Sequence, residues 1–145
     1  MKVLLQRVSE ASVTVASETV GEIGSGLLIF LGVEKGDDKA AAEKLVERCL
    51  NYRIFEDEVG KMNASLQDSQ GEVLVVSQFT LAADTRKGRR PSFSPAADPE
   101  LGCELYLHFI KCLRSRGVEA QTGQFGADMK VRLCNDGPAT FLLET

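Results

Sequence analysis

The sequence predicts a single compact α/β domain covering residues 1–145, in which about eight short strands form a mixed, barrel-like sheet with two main helices. Three observations carry this prediction. The chain has 145 residues, which is the usual size of one domain and is enough to bury a core. Short apolar or alternating runs bounded by turn residues recur along it, as strands require. Two longer segments have apolar residues at helical spacing.

The N-terminal part of the chain is predicted to supply several strands of this sheet. Residues 2–8 and 11–16 have strand patterns, and 19–24 follows 11–16 closely enough to form a hairpin with it. The run GLLIFLGV, 26–33, is short, continuous and apolar, which is typical of a strand buried on both faces.

The first helix is predicted over residues 37–52, where helix-forming residues place Ala41 and Leu45 at helical spacing. Either Asp37 or Asp38 is suited to cap it, because an aspartate side chain accepts from the free N–H groups of a first turn.

The second helix is predicted over residues 98–117. Asp98 is its expected N-cap, Pro99 fits the first helical position and Gly117 fits the position just beyond the end. An apolar stripe that includes Phe109 is expected to face the core. A polar loop at 82–97 precedes this helix. The remaining strands are predicted at 53–57, 72–81, 118–125, 130–134 and 139–144.

Composition and charge exclude several classes of protein. The formal net charge is −4, which argues against a protein that coats nucleic acid through bulk charge. The longest apolar stretch, 26–33, is too short to span a membrane, and the N-terminus lacks the pattern of a signal peptide. A cytoplasmic protein with no membrane partner is therefore expected. The four cysteines include no C-x-x-C pair, so reduced thiols and no metal site are expected.

The chain contains one histidine, His108, in the middle of the second predicted helix. Nucleophilic sites built on serine or cysteine need a histidine beside the nucleophile, so a structural role for His108 is favoured. No glycine-rich phosphate loop occurs, because the glycines of GEIGSG (21–26) have the wrong spacing. The sequence therefore predicts neither a bound metal nor another cofactor.

The first candidate site lies at the end of a predicted buried strand and consists of Ser77, Gln78, Phe79 and Thr80. This segment offers two hydroxyls, an amide and backbone N–H groups able to hold an oxyanion. Four cations that are suited to contact phosphates follow almost at once: Arg86, Lys87, Arg89 and Arg90. The alternative is an ordinary polar strand end followed by a solvated basic loop, and the residues alone leave both interpretations open.

The second candidate site is NDGPAT, residues 135–140, between the last two predicted strands. Asparagine, aspartate, glycine and proline are all turn formers, so a plain turn is the favoured interpretation of this stretch by itself. The unusual alternative is a cis Gly137–Pro138 bond, a form that few X-Pro bonds adopt in folded proteins.

The chain strongly resembles the D-aminoacyl-tRNA deacylase family. The two diagnostic motifs are S-Q-F-T-L, which begins at Ser77, and N-x-G-P-x-T, which begins at Asn135. The resemblance also runs through QRV (6–8), GEIGSGLLIFLGVEKGD (21–37), YRIFED (52–57), VLVVSQFTLAADT (73–85), RPSF (90–93) and QTGQFGADM (121–129). One small departure is Ala139, where the family often has valine.

This resemblance implies an enzyme that hydrolyses the ester between a D-amino acid and the 3′ terminal adenosine of tRNA. It implies a homodimer with active sites at the subunit interface. The Gly137–Pro138 bond would be cis and would reach into the partner's site, where its backbone would exclude L-amino acids by sterics.

The resemblance also implies roles for individual side chains. The floor of the pocket would be formed by Ser77, Gln78, Phe79 and Thr80. Phe125 and Met129 would line the pocket, and Arg7 would help to hold the Gly-Pro segment.

The identity of the nucleophile stays open between two routes. Thr80 is the candidate by residue type, but no base is evident beside it. The alternative, which we favour, is attack by water assisted by the ribose 2′-OH while backbone N–H groups hold the oxyanion. Rival functions are an editing domain for L-amino acids, a non-catalytic RNA-binding module and a structural dimer module. The Gly-Pro element argues against the first rival, and neither of the others explains the pocket motif.

Overall fold

Eight strands and three α-helices make up the fold, and the computed structural model describes residues 1–145. The strands are β1 Lys2–Val15, β2 Glu18–Ile23, β3 Gly26–Gly32, β4 Phe55–Glu56, β5 Met62–Ala64, β6 Glu72–Ser77, β7 Ala120–Thr122 and β8 Lys130–Glu144. The helices are α1 Lys39–Asn51, α2 Leu66–Ser69 and α3 Pro99–Ser115. A short 3-10 helix follows β6 at Phe79–Ala82. None of the three α-helices has the length and apolar character needed to cross a membrane.

Six of the strands form one mixed sheet. Its order is β2-β1-β3-β6-β7, and β8 pairs with β1 as well. The β3–β6 and β6–β7 pairs are parallel, whereas β1 pairs antiparallel with β2, β3 and β8. Since β1 pairs with β3 through its first half and with β2 through its second half, the sheet curls into a nearly closed, barrel-like form. The predicted fold class is therefore confirmed.

The central strands of this sheet are buried on both faces. Val73 and Val75 of β6 belong to a core cluster of 24 buried residues, to which α1 and α3 also contribute. The alternate residues Leu74 and Val76 belong to a second cluster of seven buried residues. Because successive side chains of a strand point to opposite faces, the two clusters lie on opposite sides of the sheet. The continuous apolar patterns that predicted buried strands are thus explained.

The predicted helix ends are present in the structure. Asp38 caps α1, since its Oδ1 accepts a hydrogen bond from the Ala41 backbone N–H at 2.8 Å. Asp98 caps α3 in the same way, through the Leu101 N–H at 2.9 Å. Gly117 follows the end of α3 with a φ of +79°, a conformation that favours glycine. These boundaries are therefore set by local chemistry.

Two pairs of predicted strands are each one continuous strand. The patterns at 2–8 and 11–16 both belong to β1, and those at 130–134 and 139–144 both belong to β8. The two long strands pair with each other along nearly their whole length. The turn expected at NDGPAT is therefore wrong, because the chain does not reverse there.

The Gly137–Pro138 segment is instead a bulge in β8. Gln6 pairs with Thr140 and Val8 pairs with Asn135, so a step of two residues in β1 (8 − 6) faces a step of five in β8 (140 − 135). Three extra residues of β8 therefore lie outside the ladder. Proline has no N–H to donate to a neighbouring strand, which accounts for the interruption of pairing at this position. The Gly137–Pro138 bond is cis.

Strand β6 ends at Ser77, although its pattern predicted a strand as far as residue 81. The 3-10 helix that replaces the last part packs against β3, where Gly32 makes room for it. A Cβ atom at Gly32 would lie 3.0 Å from the Gln78 carbonyl oxygen and 2.9 Å from the Leu81 Cβ. The small β4–β5 hairpin and helix α2 were not predicted, because both elements are too short to show a periodic pattern.

Candidate functional site

The first predicted site lies where β6 stops beside β3. Gln78 donates its backbone N–H to the Leu31 carbonyl at 2.7 Å, which extends the parallel pairing one residue beyond β6. The backbone then enters the 3-10 helix, leaving Ser77 half-buried and Phe79 59% exposed. A buried strand thus delivers these residues to the surface at a fixed position.

A cavity of about 400 Å³ opens beside this strand end. It lies between the end of β3, the 3-10 helix, the segment 93–97 and the first turns of α3. Three of the predicted site residues line it, namely Ser77, Phe79 and Phe125. Further lining residues that the sequence did not predict include Leu31, Val33, Phe93, Ala96, Gly102 and Tyr106. The cavity is therefore mostly apolar and aromatic, and its volume is in the usual range for a small-molecule site.

Two pairs of aromatic rings shape the cavity. Phe79 and Phe93 lie at its mouth with their ring centroids 5.0 Å apart, and Phe93 is 41% exposed. Tyr106 and Phe125 form a wall, with centroids 5.7 Å apart. Gly102 of α3 lets Phe125 approach, because a Cβ atom there would already lie 3.4 Å from the ring. An isolated glycine within a strong helix pattern was the one sequence signal for this close approach.

Tyr106 is fixed in the wall of the cavity. Its hydroxyl donates to the Val75 carbonyl at 3.1 Å, and its side chain is buried. Burial raises the pKa of Tyr106 to about 12, so the phenol stays neutral at physiological pH. Tyr106 therefore shapes the cavity and does not act as a base.

Thr80 has no basic partner. The Gln78 side-chain amide donates to the Thr80 hydroxyl, and the only histidine, His108, pairs with Glu43 on α1 instead. Phe79 and Thr80 are the first residues of the 3-10 helix, so their N–H groups lack an acceptor within it. The side chain of Gln78 does not cap them. The strand end thus presents backbone donors to a developing negative charge and has no activated nucleophile.

Arg7 contacts the Gly-Pro bulge from the neighbouring strand. Its side chain is buried, with Nε donating to the Asp136 carbonyl at 2.9 Å and Nη1 donating to the Ile54 carbonyl at 2.7 Å. Gly137 has a φ of +130°, and a Cβ atom there would lie 2.8 Å from Arg7 Nη2. The guanidinium group therefore occupies the space that a side chain at 137 would need.

The first and last residues of the N-x-G-P-x-T motif close the bulge. Asn135 Oδ1 accepts from the Ala139 N–H at 2.8 Å, and Asn135 Nδ2 donates to the Thr140 hydroxyl at 2.8 Å. Gly137 and Pro138 between them are exposed. Neither residue lines the cavity of its own chain. One protomer thus carries the two diagnostic motifs at two separate places on its surface.

Met129 lies beside the loop that carries Phe125. Its Sδ accepts from the Gln124 N–H at 3.4 Å and fills the space over Gly123, where a Cβ atom would lie only 2.7 Å away. Met129 is not among the residues that line the cavity. Its position supports the loop between β7 and β8 and, through it, the Phe125 ring.

The four predicted cations lie on an exposed loop beside the mouth of the cavity. The loop is closed by backbone hydrogen bonds between Asp84 and Ser92, at 2.8 and 3.0 Å, and Phe93 follows directly. Arg86 forms an ion pair with Asp84 at 2.8 Å, and this guanidinium holds the pKa of Asp84 well below its usual value. The three cations that form no ion pair are Lys87, Arg89 and Arg90. The loop therefore presents three unpaired positive charges near the cavity.

Comparisons with known proteins agree with this site. The family model described as D-Tyr-tRNA(Tyr) deacylase matches residues 4–144. A D-aminoacyl-tRNA deacylase from Idiomarina loihiensis is 62% identical over 97% of each chain, and one from Haemophilus influenzae is 60% identical over 99% of each. A solved structure titled c-Myc DNA Unwinding Element Binding Protein superposes with a TM-score of 0.95 at 42% identity, covering 100% of this chain and 99% of that one. The chain belongs to the D-Tyr-tRNA(Tyr) deacylase family.

Proposed function

We propose that this chain hydrolyses the ester bond of D-aminoacyl-tRNA and releases free tRNA and a D-amino acid. Family membership and the names of close relatives support this activity. The observation that carries it is the end of β6, where uncapped backbone N–H groups lie beside a cavity and no base reaches Thr80. Such a site is suited to a substrate that supplies part of its own chemistry.

Water is the proposed nucleophile. Its oxygen attacks the ester carbonyl carbon, and the ribose 2′-OH, next to the scissile bond, orients the water and relays its proton. The ester C–O bond then breaks and the 3′ oxygen of the tRNA leaves with a proton. The N–H groups of Phe79 and Thr80 hold the carbonyl oxygen as it gains charge. Removing one such donor costs about 100- to 1,000-fold in kcat in enzymes where it has been measured.

The aromatic cavity is the proposed site for the 3′ terminal adenosine. Stacking of a base on an aromatic side chain contributes about 1–3 kcal/mol, and Phe79 and Phe93 offer exposed ring faces at the mouth. The unpaired cations of the adjacent loop would contact phosphates further along the acceptor end. An aminoacyl-tRNA substrate accounts for both features, whereas a nucleic-acid-binding module leaves the cavity unexplained. Because aminoacyl-tRNA is used in protein synthesis, this substrate assigns the activity to the cytoplasm.

Selection against L-amino acids is assigned to the backbone of Gly137 and Pro138. A filter that serves many amino acids has to contact the atoms that all of them share. The carbonyls of this segment can hold the substrate's α-amino group, while an L side chain would collide with the backbone.

The chiral filter requires a homodimer. The bulge does not line the cavity of its own chain, so the Gly-Pro segment of a second copy would have to enter it. Strand β8 has one edge that pairs with no other strand, and it exposes Leu133 and Leu142. Such an edge is suited to association with another copy of the chain.

The experiment is to incubate the protein with D-Tyr-tRNA and L-Tyr-tRNA and to measure loss of the ester bond. Hydrolysis of the D-ester with the L-ester intact is the expected result. Loss of the L-ester would indicate an editing domain, and tRNA binding without ester loss would indicate a binding module. A D-Tyr-tRNA ending in 2′-deoxyadenosine serves as the matched substrate, and its cleavage at the normal rate would rule out assistance by the 2′-OH.

A further inference from the structure

Three side chains with metal-binding atoms meet on the surface between α1 and α3. Glu43 belongs to α1, and His108 and Cys112 lie one helical turn apart on α3. His108 Nε2 is 2.9 Å from Glu43 Oε1 and 3.4 Å from Cys112 Sγ. All three ligand atoms lie within 4.8 Å of one another, and none of these residues lines the cavity.

Hydrogen bonding does not fully account for this arrangement. The same nitrogen, Nε2, is close to both the Glu43 carboxylate and the Cys112 sulfur. It carries at most one proton, and a proton directed at the carboxylate does not point at the sulfur. A cation between the three atoms would contact a lone pair of each of them at once.

The geometry points to a binding site for Zn²⁺ formed by Glu43, His108 and Cys112, with water as the fourth ligand. Zinc binds cysteine sulfur at about 2.3 Å and histidine nitrogen at about 2.0–2.1 Å, so a tetrahedral site separates the two ligand atoms by about 3.5 Å. The separation of His108 Nε2 and Cys112 Sγ is 3.4 Å, which already meets this requirement.

The third ligand needs only a small movement. A tetrahedral site would widen the separation of Nε2 and the carboxylate oxygen by about 0.5 Å from its value without metal. The Glu43 side chain is 53% exposed and can make this shift, whereas the His108 side chain is only 19% exposed and stays in place. A set of sulfur, nitrogen and oxygen ligands suits Zn²⁺ better than Mg²⁺ or Ca²⁺, which require oxygen ligands.

Zinc at this position would tie α1 to α3. Both helices cover the larger core, and the first turns of α3 also line the cavity. The site is separate from the proposed catalytic groups, so metal binding is expected to raise the stability of the fold without taking part in ester hydrolysis.

Titration of the chelator-treated protein with Co²⁺ tests the site, because a thiolate ligand gives Co²⁺ a charge-transfer absorption in the near ultraviolet. The expected result is one equivalent bound per chain, displacement by Zn²⁺ and a higher melting temperature with Zn²⁺. Cys112→Ser should abolish the absorption. Cys103→Ser is the matched control on the same helix and should retain it.

Absence of the absorption in the wild type would overturn the proposal, and so would its persistence in Cys112→Ser, since the metal would then bind another thiol such as the exposed Cys134. Should Cys112→Ser fail to fold, His108→Gln and Glu43→Gln provide the second measurement. His108→Gln should weaken Zn²⁺ binding more than about 100-fold, because loss of even an outer-shell partner costs 10- to 100-fold. Wild-type affinity in both of these variants would also overturn it.

Discussion

Replacing Gly137 by alanine should damage the protein through Arg7 of its own chain. The new methyl would lie 2.8 Å from Arg7 Nη2, well inside van der Waals contact. Arg7 cannot move aside without cost, because Nε and Nη1 hold the carbonyls of Asp136 and Ile54 and the side chain is buried. The bulge must then shift away from Arg7, or Arg7 must give up a hydrogen bond.

The size of the effect follows from these two terms. An L-residue held at a positive φ, here +130°, costs about 1–2 kcal/mol. A hydrogen bond to a charged group contributes about 1.5–3 kcal/mol, so the free energy of unfolding should fall by about 2.5–5 kcal/mol. In a chain of this size the melting temperature should drop by about 5–20 °C. A displacement of the Gly137 carbonyl by about 1 Å is enough to lower deacylation of D-Tyr-tRNA about 100-fold.

Gly60→Ala is the matched control for this variant. Gly60 also has a positive φ, +75°, but a Cβ atom there would meet nothing within 4 Å. Thermal unfolding followed by circular dichroism and a D-Tyr-tRNA deacylation assay should be run on both variants. Gly60→Ala should lose only the backbone term and keep full activity. If the two variants melt together and hydrolyse D-Tyr-tRNA equally, the assigned role of Arg7 against Gly137 is wrong.

Three further predictions concern catalysis, tRNA binding and pH. Thr80→Ala should retain appreciable deacylase activity, since water is the proposed nucleophile; a trapped acyl-enzyme on Thr80 would contradict this. Neutralising the unpaired cations should weaken tRNA binding and flatten its salt dependence by about 0.7–0.9 in slope per lost phosphate contact, an effect that Arg86→Gln should show less because Arg86 is paired with Asp84. A salt series that is unchanged in the variant lacking those three charges would show that the loop is only a solvated surface; the residues are Lys87, Arg89 and Arg90. Burial raises the pKa of Tyr106 from 10.0 to about 12, so its contribution to stability is complete below pH 10 and is lost as pH rises toward 12. Denaturation curves from pH 9 to pH 12 should therefore fall more steeply for the wild type than for Tyr106→Phe, and parallel curves would refute the assignment.

Local chemistry in the sequence determined the ends of the main helices and the buried strands. Asp38 and Asp98 cap their helices, and Gly117 ends the second one, because the groups that satisfy a helix terminus lie within a few residues of it. The apolar runs of β3 and β6 were recognisable because strands buried on both faces need no polar alternation. The two family motifs were visible for the same reason, since each is a contiguous stretch.

Tertiary structure alone decided how these stretches meet. NDGPAT is made of turn residues, yet it lies within β8, because pairing with β1 continues on both sides of Gly137 and Pro138. The end of β6 at Ser77 depends on the space above Gly32, which is distant in sequence. The cavity wall, with Tyr106 of α3 against Phe125, likewise joins residues from separate elements. Such contacts leave no periodic trace in the chain, because steric fit between distant residues is established only when the sheet and helices have packed.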